Sequence, residues 1–178
     1  MARDLTLTGV ERTFDSSDII VSKTDLKGRM TYVNDTFLKM AGYTIDECIG
    51  EPHSKIRHPD MPRCVFKLLW DTIAKGYEIF AYVINRSNNG DHYWVLAHVT
   101  ATMAEDGTTI TGYHSSRRSP STAAISAIKP IYAKLKAEED RHSNAKEGMA
   151  ASTAMLVGIL TDAGISYDEF VFSVINAS

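Results

Sequence analysis

The stretch EIFAYVINRSNNGDHYWVLAHVTA, Glu78 to Ala101, holds two runs rich in β-branched and aromatic residues on either side of Asn89-Gly90. Such residues favour strands, and an Asn-Gly pair tolerates the positive φ angles of a tight hairpin turn. Asp106-Gly107 repeats the turn signal further along the chain. The pattern predicts an antiparallel meander of three strands, Glu78–Arg86, Asp91–Thr102 and Thr108–Arg117.

Two shorter strands and several helices are predicted before the meander. Asp18–Thr24 and Arg29–Asn34 have strand composition and are separated by a glycine turn. A short helix follows Asn34, and a second begins at the capping box that starts with Thr44. Pro62–Lys75 is the strongest helical pattern, and Gly76 ends it. We therefore expect an α+β fold, a five-stranded antiparallel sheet with short helices on one face.

The sequence divides into three parts. Residues 1–17 form a polar leader, residues 18–118 carry the alternating strand and helix signals, and residues 119–178 carry helix signals only. In the last part a helix is predicted over Ala123–Glu139, and two more apolar helical segments follow it. We expect this C-terminal helical extension to serve in dimerisation or signalling.

Composition and charge exclude several classes of function. The 178 residues carry a formal net charge of -3, which gives no reason to expect nucleic acid as a partner. No segment has the character of a signal peptide or a bilayer-spanning helix, so we expect a cytoplasmic protein without direct membrane insertion. Cys48 and Cys64 fit no metal-binding spacing, and no nucleophile neighbours His58 and Asp60. We expect neither a metal site nor enzymatic activity.

The two faces of the predicted meander differ in side-chain size. Because strand residues alternate between faces, one face carries mostly small apolar side chains together with Asn85. If that face meets the helices, its side chains are too small to fill the space, and a flat ligand could occupy it beside the Asn85 amide. Alternatively, Phe37, Phe66 and Trp70 fill the same space. The small residues are Ala81, Val83, Val95, Ala97 and Val99.

The opposite face is unusually apolar for a surface. It carries Phe80, Tyr82, Ile84, Trp94 and Leu96, whereas a solvated sheet face is ordinarily polar. We expect a cover for this face, either a terminal helix of the same chain or a second copy of it.

The segment Arg57-His58-Pro59-Asp60-Met61-Pro62 has two interpretations. In the first it is a rigid loop, in which Asp60 caps the helix that Pro62 begins. In the second, the guanidinium of Arg57 and the imidazole of His58 bind a phosphate beside the helix N-terminus. A cofactor with a pyrophosphate could then place its ring inside the predicted cavity.

The middle part of the chain resembles the FAD-binding PAS domains of bacterial aerotaxis receptors. RHPDMP at 57–62 and NGDHYWV at 89–95 carry most of the resemblance, which covers roughly residues 18–135. The resemblance implies a PAS fold, a non-covalently bound FAD and a redox signal. It implies that Arg57, His58 and Asp60 belong to the FAD site. Further candidate contacts are Asn34 and Asn85 at polar edges of the flavin, and Phe66 and Trp70 as walls.

One departure from the family keeps other functions open. Ile79 stands where the family has a tryptophan near the flavin, which puts the identity of the cofactor in question. A haem b sensor is an alternative, with His58, His98 or His114 as the axial ligand. A cofactor-free PAS module for assembly is another. In each case we expect a homodimer that signals to a partner such as a chemoreceptor or a kinase.

Overall fold

The computed structural model describes residues 6–177 as five strands and six α-helices. The strands are β1 (Ile20–Thr24), β2 (Met30–Val33), β3 (Ile79–Arg86), β4 (His92–Met103) and β5 (Ile110–Arg118). The helices are α1 (Asp35–Ala41), α2 (Ile45–Cys48), α3 (Arg63–Ile73), α4 (Thr122–Asp140), α5 (Ala145–Ala163) and α6 (Tyr167–Asn176). A short 3-10 turn, His53–Ile56, precedes α3.

The strands form one antiparallel sheet in the order β2-β1-β5-β4-β3. The hairpin predicted at Asn89-Gly90 joins β3 to β4, and its register pairs Val83 with Val95 and Ala81 with Ala97. The small residues therefore lie together on one face of the sheet, as the alternation predicts. The predicted fold class is confirmed.

Local capping explains where several helices begin. Asn34 caps α1, because its side chain accepts a hydrogen bond from the Phe37 amide. Thr44 and Ser166 each start the capping box that the sequence predicts, with Glu47 and Glu169 as the third residues of α2 and α6.

The apolar outer face of the sheet is covered by helices of the same chain. Tyr132 on α4 donates a hydrogen bond to the Tyr82 carbonyl at 2.6 Å, and its ring lies 6.0 Å from that of Trp94. Phe172 on α6 packs against Phe80, with ring centroids 5.2 Å apart. Of the two covers expected from the sequence, the structure shows the terminal helices.

The N-terminal segment lies along the β3–β4 hairpin. The amide of Thr8 donates to the carbonyl of Gly90. The amide of Arg12 donates to the His92 carbonyl, and the His92 amide donates to the Val10 carbonyl. The approach is close, since a Cβ on Gly90, whose φ is +94°, would meet the Thr6 carbonyl oxygen at 2.1 Å. The predicted leader is thus part of the folded domain over residues 6–17, while residues 1–5 lie outside the described residues.

Helix α4 ends in a buried carboxylate that joins three helices. Glu139, only 6% exposed, accepts from the Cys64 amide in the first turn of α3 at 3.0 Å and from the Ser152 hydroxyl of α5 at 2.8 Å. Helix α5 approaches closely enough that a Cβ on Gly148 would meet the Glu139 carbonyl oxygen at 2.5 Å. The expectation that Asp60 caps α3 is wrong, because Glu139 takes that position from a distant part of the chain.

No single helix among the described residues is long and apolar enough to cross a membrane. Helices α5 and α6 meet that test of length and composition only when they are taken together, and they are bent by 68° at the break between them.

Replacing Glu139 tests this junction. Glu139→Ala leaves the Cys64 amide and the Ser152 hydroxyl without a buried acceptor, so we expect the free energy of unfolding to fall by about 1–3 kcal/mol. Urea denaturation measures this change. Glu147→Ala, an exposed position on α5, is the control and should change stability by less than about 0.5 kcal/mol. Equal effects of the two variants would contradict the role of Glu139.

Candidate functional site

A cavity of about 530 Å³ lies between the inner face of the sheet and helix α3. Volumes of roughly 300–1,000 Å³ are typical of small-molecule sites. The small strand residues leave this space unfilled, as the first alternative for the inner face predicts. Its apolar lining includes Leu69, Trp70 and Ile73 on α3 and Val83, Ala97 and Val99 on the sheet.

A buried cation lies on the cavity wall. Arg117 on β5 is 4% exposed, and its Nη2 donates to Ser22 Oγ at 2.9 Å and to His53 Nε2 at 2.7 Å. Its Nη1 has no hydrogen-bond partner, and Arg117 forms no ion pair within residues 6–177. A buried polar group without a partner is costly, so this nitrogen is available to an acceptor on a water molecule or a ligand.

The pKa values of His53 and Arg117 agree with a hydrogen bond from the guanidinium to a neutral imidazole. Burial, and then the charge of Arg117, lower the pKa of His53 to about 3, so that the imidazole is neutral and accepts from the guanidinium. Burial lowers the pKa of Arg117 to about 10, which still leaves it protonated at neutral pH. The cavity wall therefore carries one net positive charge at this point.

Three more unpaired polar atoms belong to residues that line the cavity. They are Thr24 Oγ1 on β1, Asn85 Nδ2 on β3 and Ser115 Oγ on β5, each buried without a hydrogen-bond partner among the described residues. The cavity thus combines apolar walls with a few donors that the protein does not satisfy. Such a lining suits a flat, largely apolar ligand whose polar edge carries hydrogen-bond acceptors.

Four of the residues predicted for the site line the cavity. Arg57 bridges to Asn85 through the backbone, and its guanidinium lies 5.5 Å from the centre of the Phe66 ring. Trp70 stands edge-on to Tyr113 at 5.4 Å and is 37% exposed, so it lies on the open side of the cavity. The structure brings these four side chains together, and their contact with a cofactor stays a prediction.

The other three predicted residues lie outside the cavity lining. The side-chain oxygen of Asn34 accepts from the backbone amide of Phe37, which caps α1, and from the backbone amide of Val21. Its side-chain nitrogen donates to the Ile19 carbonyl. His58 is buried against His92, and its Nδ1 accepts from the Asp60 amide at 3.2 Å, while the Asp60 side chain faces solvent. These positions give Asn34 and His58 local structural roles and provide no contact with the cavity.

The three histidines proposed as haem ligands are also separated. His58 lies away from the cavity, and His98 stacks on Phe80 at 4.2 Å on the outer face of the sheet. Of the three, only His114 is part of the cavity lining.

Sequence reasoning missed Ser22, His53 and Arg117. A signal for Arg117 existed, since it shares the inward face of β5 with Tyr113 and Ser115, and a charged residue at an inward position is unusual. No local signal marks Ser22 and His53, because only the tertiary fold brings them to Arg117.

The chain resembles known proteins in sequence. The family described as PAS fold matches residues 30–114. The chain is 43% identical to the aerotaxis receptor of Escherichia coli over 118 residues, 66% of this chain and 23% of the receptor. It is 22% identical to the nitrogen fixation regulatory protein of Klebsiella pneumoniae over 93 residues, 52% of this chain and 19% of that protein. The chain thus spans less than a quarter of either relative.

Solved structures show the same fold. The light state of the blue-light photoreceptor Aureochrome1 LOV superposes with a TM-score of 0.51 and 23% identity, covering 71% of this chain and 93% of that one. The blue-light activated histidine kinase of Erythrobacter litoralis superposes with a TM-score of 0.54 and 14% identity, covering 68% of this chain and 40% of the kinase.

The buried histidine makes stability depend on pH. Because the pKa of His53 is about 3 in the folded state and 6.5 is its ordinary value, the unfolded state binds the proton more tightly, and stability falls as the pH drops below 6.5. By pH 5 we expect the loss from His53 to reach about 1–2 kcal/mol.

Urea denaturation between about pH 7 and pH 5 measures this loss. His53→Gln should be less sensitive to pH than the wild type, whereas His142→Gln on the extension should match it. The lowered pKa values of His58 and His114 act in the same direction and remain in all three proteins. An unchanged pH dependence in His53→Gln would show that His53 is not held neutral by the fold.

Proposed function

The chain contains a PAS domain, and from this premise we propose that it is a redox sensor that binds FAD non-covalently and relays the redox state to a signalling partner. The observation that carries the proposal is the unfilled cavity with unpaired donors on Asn85 and Arg117. An isoalloxazine ring is flat and apolar over most of its area, with carbonyl and nitrogen acceptors along one edge. The residues present therefore fit this group.

Each part of the cavity has a role in this proposal. Phe66, Trp70 and the small strand residues enclose a planar ring and exclude water from it. Asn85 and Arg117 donate to its polar edge, and Arg57 lies where the cavity opens. FAD supplies reversible electron transfer when it is bound.

Arg117 tunes the electron affinity of the site. Its buried charge has no carboxylate partner among the described residues, and it adjoins the space for the ligand. Reduction adds negative charge to the ligand, and a fixed cation in a poorly hydrated site stabilises that charge. Arg117 therefore favours the reduced state.

The signal has a physical path out of the cavity. Asn85 and Tyr82 are on the same strand, β3, and the Tyr82 carbonyl accepts from Tyr132 on α4. A change in the hydrogen bonds of Asn85 with redox state shifts the position of β3 and biases the packing of α4 against it. This is a shift between two populations that the ligand state controls.

The proposal extends to partners by analogy with the aerotaxis receptor. We propose a cytoplasmic homodimer that signals to a chemoreceptor or a kinase and has no catalytic step of its own. A haem b sensor is the alternative with less support, because His114 alternates with Tyr113 and Ser115 on β5 and therefore points to the other face of the sheet.

Absorption spectroscopy of the purified protein tests the cofactor. We expect flavin bands, bleaching by dithionite and release of FAD on boiling. Ala97→Leu fills the cavity and should remain folded without binding FAD. Ala133→Leu, at an exposed position on α4, is the control and should bind FAD as the wild type does.

A Soret band in the spectrum would show that the protein binds haem instead of FAD. A colourless protein that takes up neither FAD nor haem would refute the sensor proposal and leave an assembly module. Equal FAD binding by Ala97→Leu and Ala133→Leu would place the ligand elsewhere.

A second experiment measures the midpoint potential of the bound FAD. Arg117→Met removes the buried cation and should weaken binding of the reduced form relative to the oxidised form at least about tenfold, a fall of about 30 mV for a two-electron couple. Arg117→Lys retains the charge and should stay close to the wild type. Arg118→Met, the exposed neighbour on β5, is the control. Identical potentials in Arg117→Met and Arg118→Met would exclude this role.

A further inference from the structure

A second recess, of about 370 Å³, adjoins the mouth of the cavity. Ser54, Arg57 and Arg63 line both spaces, so the two are continuous. The remaining lining residues are Pro59, Met61 and Lys136. The recess therefore combines two arginines around the start of α3 with a lysine from α4 of the C-terminal helical extension.

Of the three cations of this recess, only Lys136 has a carboxylate partner among the described residues. Neither Arg57 nor Arg63 forms an ion pair within residues 6–177, and Arg57 is half-buried against the Phe66 ring. Burial, and then repulsion from Arg63, lower the pKa of Arg57. The nearby carboxylate of Glu139 is held by α3 and α5, and Lys136 pairs with Asp140 on its own helix. A bound anion would relieve the repulsion between the arginines.

We propose that this recess is the subsite for the diphosphate of FAD, and that Lys136 makes the C-terminal helical extension part of the ligand site. The proposal rests on the proposed function, since it takes the flavin ring to lie in the adjoining cavity. Guanidinium groups bind phosphate oxygens with two parallel hydrogen bonds, and a lysine ammonium adds a mobile point charge. The two arginines without an ion pair balance the two negative charges of a diphosphate, and Lys136 adds a further donor.

The subsite gives the ligand a direct effect on the extension. Lys136 and Glu139 are three residues apart, so they share one face of α4, the face toward α3. Binding of a diphosphate across Arg63 and Lys136 therefore stabilises α4 in its docked position. By linkage, an extension that leaves α3 weakens the binding of FAD by the same factor.

The affinities of three flavins distinguish binding at the ring site from binding at the phosphate site. Riboflavin has no phosphate, FMN has one and FAD has a diphosphate. We expect affinity to rise along this series by titration of intrinsic flavin fluorescence, and added salt should weaken FAD binding more than riboflavin binding. Inorganic pyrophosphate should compete with FAD and leave riboflavin bound.

The variants test Lys136 itself. Lys136→Gln should weaken FAD binding about three- to tenfold and leave riboflavin binding unchanged, because Lys136 lines the recess only. Arg63→Gln should also weaken FAD binding about three- to tenfold. Lys134→Gln, an exposed lysine on the same helix, is the matched control and should leave both affinities unchanged. Circular dichroism spectra of the variants should match the spectrum of the wild type and so verify that they are folded.

The outcomes distinguish the two proposals. If riboflavin binds but FAD binds no more tightly, or if Lys136→Gln and Lys134→Gln behave alike, the diphosphate subsite is refuted while the flavin site stands. If no flavin binds to the wild type, the proposed function fails and the subsite fails with it.

Discussion

The buried guanidinium of Arg117 is the constraint on which the interior of this protein depends. An isolated charge in an apolar interior costs several kcal/mol unless it is paired. Here neutral partners, Ser22 and His53, satisfy Nη2, whereas Nη1 has no partner among the described residues, and Arg117 lines a space that the small residues of the sheet do not fill. A well-packed core would exclude such a group. This arrangement supports the proposal that a polar, electron-rich ligand completes the interior.

The C-terminal helical extension is tied to that interior by three contacts from one helix. Tyr132 binds the outer face of the sheet, Glu139 caps helix α3, and Lys136 lines the recess at the mouth of the cavity. We propose that α4 is an output element, because Lys136 lines the recess that the proposed ligand would enter.

Local sequence signals predicted the structure correctly where the interaction itself is local. The Asn89-Gly90 turn and the Thr44 capping box involve residues within a few positions of each other, and both appear as predicted. The prediction for Asp60 is wrong because its competitor, Glu139, is 75 positions from the amide that it caps. Asn85 was predicted from strand alternation and Arg57 from the cation beside a helix N-terminus, and the resemblance added Phe66 and Trp70 as walls of the site. None of these signals reveals Arg117.

The sequence by itself determined the strand order along the chain, the size difference between the two sheet faces and the need for a cover over the apolar one. These follow from alternation and turn chemistry, which act over a few residues. Only the tertiary structure decided that the chain's own helices provide the cover, and that Ser22, His53 and Arg117 meet on the cavity wall. The physical reason is that hydrogen bonds between distant segments depend on how the sheet and helices pack, and no spacing in the sequence encodes that distance.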